Sequence, residues 1–113
     1  MPSRLVGIHR TLGPGLLESI YEEALCHEFD LRGIGCRRQV EIDVIYKEKV
    51  IKGQRLDVLA EDEVIVEIKS LSKLNEVSMA QVLSYLKATG LKRALIINFG
   101  AKMLREGIRR ISL

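Results

Sequence analysis

The chain has 113 residues and a mass of 12.8 kDa, enough for one domain and too little for two. Hydrophobic residues make up 47% and charged residues 29%, with a net charge of +3, which excludes a disordered polyelectrolyte and leaves the chain only mildly basic. Two cysteines are too few for a secreted disulfide framework, and no apolar run approaches the roughly 20 residues that span a bilayer.

These values predict a single domain over residues 1–113 that buries roughly two-thirds of its unfolded surface without staples. Its core must be aliphatic, because tryptophan is absent and the aromatics are three tyrosines and two phenylalanines. Met1 to Gly7 lacks the apolar run of a signal peptide, so a cytoplasmic location is expected.

Leu5 to Leu12 is long enough for about two helical turns. Gly13-Pro14-Gly15 then breaks the chain. From Leu16 to Arg32, apolar residues recur at helical spacing (Leu17, Ile20, Tyr21, Ala24, Leu25, Leu31), which predicts an amphipathic helix stopped by Gly33. The period changes at Gln39 to Ile45, where polar and apolar residues alternate as in a half-buried strand. Lys47-Glu48-Lys49 reads as a hairpin turn, with Val50-Ile51 starting the return. Gln54 to Leu59 and Val64 to Lys69 read as two more strands around the acidic turn Glu61-Asp62-Glu63. A second helix is predicted from Asn75 to Thr89, with Val77, Ala80, Leu83 and Leu86 on one stripe and Gly90 as its stop. Ala94 to Asn98 suits a buried strand, and Met103 to Leu113 suits either a short helix or an edge strand. The order implies an α/β fold, a mixed sheet flanked by helices.

Chemistry is best sought at Asp57, Glu67 and Lys69. Glu67 and Lys69 share one face of their strand, and Val64, Val66 and Ile68 share the other. Closure by three loop residues would set Asp57 across from Glu67, whereas a two-residue loop would put them on opposite faces. Two converging carboxylates suit a hard divalent cation, and a neighbouring lysine could orient a water. A solvent-facing strand carrying one weak salt bridge gives the same alternation. Gln81 and Tyr85, four apart, point to one side of the second helix. Glu18 lies near the start of the first long helix, where the macrodipole favours a carboxylate whatever its function. The basic residues of the hairpin and tail, among them Arg37, Lys49, Arg55 and Arg109, are interleaved with acids and read mostly as solvated surface. His9, His27, Cys26 and Cys36 show no metal-ligand spacing.

Gly15-x-x-Glu18-x-x-Tyr21, within Leu12 to Leu25, resembles the signature of the GxxExxY protein family. Arg55-Leu56-Asp57, Val66 to Ser70, Ala80 to Lys87 and Leu95 to Gly100 follow in that family's order, so the resemblance covers nearly the whole chain. It implies a place in the PD-(D/E)xK nuclease superfamily and a restriction-endonuclease-like αβββαβ core. It further implies that Asp57, Glu67 and the Ile68 carbonyl hold Mg²⁺ (or Mn²⁺), with Glu18 completing the metal site. Lys69 matches the motif lysine, and Gln81 and Tyr85 resemble the Gln-x-x-x-Tyr element of RecB-type nucleases. Two departures stand out: Ser78 takes the place of a histidine common in relatives, and Gly7 that of a glutamate, in a first helix that starts late. The implied activity is phosphodiester hydrolysis in DNA rather than RNA, by a homodimer; the alternative is a catalytically inactive nuclease-fold binding or regulatory module.

Overall fold

Gly13 and Gly15 both take positive φ, which lets the chain reverse between two helices that Pro14 would otherwise interrupt. In the computed structural model, which describes the backbone from Pro2 and side chains from Gly7 onward, these are α1 (Pro2–Leu12) and α2 (Glu18–Leu31). Strands β1 (Cys36–Tyr46), β2 (Lys49–Ala60) and β3 (Val64–Lys69) follow as a meander, then α3 (Glu76–Thr89) and β4 (Arg93–Asn98). Helix α3 has the ends its sequence calls for. Asn75 accepts the Ser78 N–H as N-cap, and Gly90 closes the helix in the left-handed region at φ 76°. The tail forms both of the expected alternatives, a single turn α4 (Leu104–Gly107) and an edge strand β5 (Ile108–Ser112).

The five strands stand in sequence order in one sheet. All neighbours are antiparallel except β3 and β4, which α3 links as a parallel crossover. The mixed sheet with flanking helices is the expected α/β class, extended by β5. Lys47 and Glu48 close the first hairpin as a two-residue turn with positive φ at both positions. Val50-Ile51 and Gln54–Leu59 are one strand rather than two pieces, continuous through a bulge where Gly53 takes φ 116°.

Alternation gives each sheet face its own apolar layer. Val58, Val66, Ile68, Ile97 and Phe99 pack under α2 with Tyr21, Leu25 and Phe29. Leu59, Ile65, Ala94 and Ile96 pack under α3 with Val82, Tyr85 and Leu86. The inward stripes differ from those expected. Leu17 is 74% exposed and Val77 75%, and Leu31 and Leu83 also face solvent. Apolar residues surround both helices, so periodicity alone could not choose the face.

Candidate active site

The turn at Glu61, Asp62 and Glu63 is the three-residue form, with Ala60 paired to Val64 and positive φ at Glu61 and Asp62. Asp57 consequently continues the register directly opposite Glu67. Backbone pairing of β2 with β3 ends at Val58 and Val66, so the next N–H facing β2, that of Ile68, needs another acceptor. Asp57 provides it: its Oδ2 accepts the Ile68 N–H at 2.9 Å. In an extended strand the N–H and C=O of one residue point to the same edge, so the Ile68 carbonyl also faces Asp57.

Glu67 points to the α3 face and is 4% exposed, and its Oε1 is buried with no hydrogen-bond partner. Burial, and after it the charge of Asp57, pushes its carboxyl up to about 8, against a smaller pull from Lys69. Burial also raises Asp57, opposed by the Ile68 N–H and helped by the negative charge of Glu22. Both shifts favour holding a proton within the pair, the larger one at Glu67.

Lys69 lies between strand and helix, its Nζ 3.7 Å from Glu67 Oε2 and donating to Gln81 Oε1 at 3.3 Å. Tyr85, one helical turn after Gln81, is 4% exposed. Burial and the charges of Glu67 and Asp57 push its hydroxyl up to about 12, so it stays a protonated phenol beside the carboxylates. Of the seven residues singled out from sequence, Asp57, Glu67, Ile68, Lys69, Gln81 and Tyr85 converge. Glu18 is exposed and lines a cleft of about 530 Å³ together with Lys69, Gln81 and Ser78. It is not gathered with Asp57 and Glu67 into one cluster.

The carboxylate of α2 that does lie inward is Glu22, 5% exposed. Gln39 donates to its two oxygens at 3.1 and 3.0 Å, and Arg38 to one at 3.2 Å. Gln39 stands opposite Asp57 in the β1–β2 register and takes φ 51°, which a side chain rarely adopts. One signal for Glu22 was present in the sequence: its spacing from Leu25 and Phe29 places it in the inward stripe.

The loops around the site are fixed by groups remote from its chemistry. The Tyr21 hydroxyl donates to the Gly13 carbonyl and accepts the Leu16 N–H at 3.1 Å, which pins the Gly-Pro-Gly reversal. Its ring stacks on Phe99 with centroids 4.4 Å apart, and the Phe99 N–H donates to the Lys69 carbonyl. Asn98, 2% exposed, accepts the Leu71 and Gly100 N–H groups and donates to the Leu71 carbonyl. Gly100 is required there, since a Cβ would collide with the Leu71 backbone. The segment leaving Lys69 is thus tied to both β4 and α2.

The donor set fits a hard divalent cation. It offers two carboxylates and a carbonyl, all oxygen, and one carboxylate oxygen is buried and unsatisfied. Among the described residues no group of three or more His, Cys, Asp or Glu could hold a metal. Two carboxylates suit Mg²⁺, which is commonly held by one or two of them with waters and substrate phosphates completing its shell. A family model described as the PD-(D/E)XK nuclease superfamily matches residues 2–111. No curated protein and no solved structure matches the chain.

Proposed function

Because the chain belongs to the PD-(D/E)XK nuclease superfamily, whose members typically use divalent metals, we propose that it hydrolyses phosphodiester bonds in DNA with Mg²⁺ or Mn²⁺. The observation that carries the reading is the Glu67 carboxyl, buried with one unsatisfied oxygen against Asp57 and next to Lys69. Asp57, Glu67 and the Ile68 carbonyl would hold the cation, with Glu18 at the mouth of the cleft. When bound, such an ion polarises the phosphoryl oxygen and lowers the pKa of water. Lys69, held between Glu67 and Gln81, orients the attacking water and offsets charge developing on the phosphoryl oxygens. Gln81 fixes the lysine, and Tyr85 supplies a neutral donor toward the carboxylates.

The motif order supports a finer placement among GxxExxY proteins. No helix among the described residues is long and apolar enough to cross a membrane. The thiols of Cys26 and Cys36 are close enough to hydrogen-bond. The deciding experiment incubates the protein with single-stranded DNA, duplex DNA and RNA in Mg²⁺, Mn²⁺ or EDTA. Metal-dependent cleavage of DNA, lost in Glu67→Gln, is the expected result. No cleavage with any substrate or metal would leave the alternative, an inactive nuclease-fold binding module.

A further inference from the structure

On the sheet face away from Glu67 and Lys69, and at the opposite end of β3, a groove of about 480 Å³ is left open. Its floor is apolar and crosses three strands: Val64 and Val66 of β3, Leu95 of β4 and Ile108 of β5. Alternation places these side chains in the layer that α2 covers, yet Val64, Leu95 and Ile108 are only half-buried. The floor is therefore part of the α2-side core that no element among the described residues finishes covering.

The two walls carry opposite charge. Among its lining residues, Glu61 and Glu63 come from the β2–β3 turn, and the strand order sets Arg93 of β4 and Arg110 of β5 toward the other edge of the sheet. All four are exposed, and none makes an ion pair among the described residues. A polyanion would be repelled by the acidic wall and a polycation by the basic one. A surface with an apolar centre and one wall of each sign is complementary to itself. A two-fold rotation sets the acidic wall of one copy against the basic wall of the other, twice, and closes floor on floor.

We propose that this groove is the interface of a two-fold homodimer of this chain, closed by Glu61 and Glu63 of each copy against Arg93 and Arg110 of the other. The apolar floor supplies the buried centre and the charged walls supply its register. Association through this face leaves the Asp57–Glu67 side of both sheets turned outward and open. The inference is independent of the nuclease reading, since it uses neither the acidic pair nor the cleft.

The test is the mass of the full chain by light scattering and sedimentation equilibrium from micromolar to several hundred micromolar. The wild type should approach twice 12.8 kDa as concentration rises. Arg110→Glu and Glu63→Arg, each reversing one exposed wall charge, should each raise the dimer dissociation constant at least tenfold with circular dichroism and melting temperature unchanged. Mixing the two single variants should restore the dimer, because Glu at 110 of one copy then meets Arg at 63 of the other while the second half keeps its original pairing. The double variant should dimerise for the same reason. A wild type that stays at single-chain mass throughout, a dimer indifferent to both reversals, or singles that fail to associate on mixing would each overturn the proposal.

Discussion

Asp57 substitutes for a strand: its carboxylate accepts the Ile68 N–H at 2.9 Å at the point where β2 stops pairing with β3. The bond satisfies a backbone donor and at the same time aims a carboxylate at Glu67. A structural role and the proposed chemical one therefore coincide in one side chain, and substitutions there must be read with both in mind.

Millimolar Mg²⁺ or Mn²⁺ should raise the melting temperature, since on the proposed reading the folded pair binds the ion and the unfolded chain does not. At a hundredfold excess over the dissociation constant the linkage amounts to about 2.7 kcal/mol, or roughly 10 °C for a domain of this size. Asp57→Asn keeps an oxygen for the Ile68 N–H but removes one charge. It should abolish the metal increment and leave the metal-free melting temperature equal or slightly higher. Thermal melts with and without the ion measure both effects.

The pH dependence has a definite sign. Glu67 titrates near 4.5 when unfolded and about 8 when folded, so between these values the folded state holds a proton that the unfolded chain has lost. Stability contributed by this group is full below 4.5 and falls as pH rises toward 8. Metal-free protein should thus melt lower at pH 9 than at pH 6. Glu67→Gln should flatten that decline, which denaturant titrations across the range would record, and an unchanged slope would refute the assignment.

Lys69→Ala should separate binding from turnover. Removing an ammonium 3.7 Å from Glu67 leaves the carboxylates in place, so the metal-induced melting shift should survive or increase. Cleavage should fall by roughly 10²–10³, the scale of losing one electrostatic stabiliser. Gln81→Ala, which frees the lysine without removing it, should give a smaller loss in turnover.

Glu22→Ala should destabilise the fold by about 1.5–3 kcal/mol, the range for hydrogen bonds to a charged group. Arg38 is 41% exposed and Gln39 is exposed too, so both contacts are partly screened and the loss should lie toward the lower end of that range. Gln39 would then have no reason to hold its left-handed φ. Glu22→Gln should recover part of the stability, and urea unfolding of the two variants distinguishes the cases.

Strand parity made the Glu67–Lys69 face legible, because alternation with Val64, Val66 and Ile68 leaves no other arrangement. The Asp57 contact turned on a turn length that residue types could not fix. Glu61 and Asp62 tolerate positive φ only as the wider hairpin fixes them there. Helix faces were the least legible part. In α3 the inward positions include Ser78, polar but buried because its N–H and hydroxyl both bond Asn75, while Val77 points to water. Glu22 was missed for the same reason: a buried carboxylate reads as surface until Arg38 and Gln39 are seen against it.

The lock formed by Tyr21, Phe99, Asn98 and Gly100 bears on what a sequence likeness can report. These residues close loops and stack rings, and none of them contributes an oxygen to the acidic pair. A descendant that lost Glu67 would keep every reason to retain them, since they secure the path of the chain rather than its chemistry. A likeness carried by residues such as Tyr21, Asn98, Phe99 and Gly100 therefore reports the scaffold. Cleavage, on the proposed reading, depends instead on three side chains on two neighbouring strands: Asp57, Glu67 and Lys69.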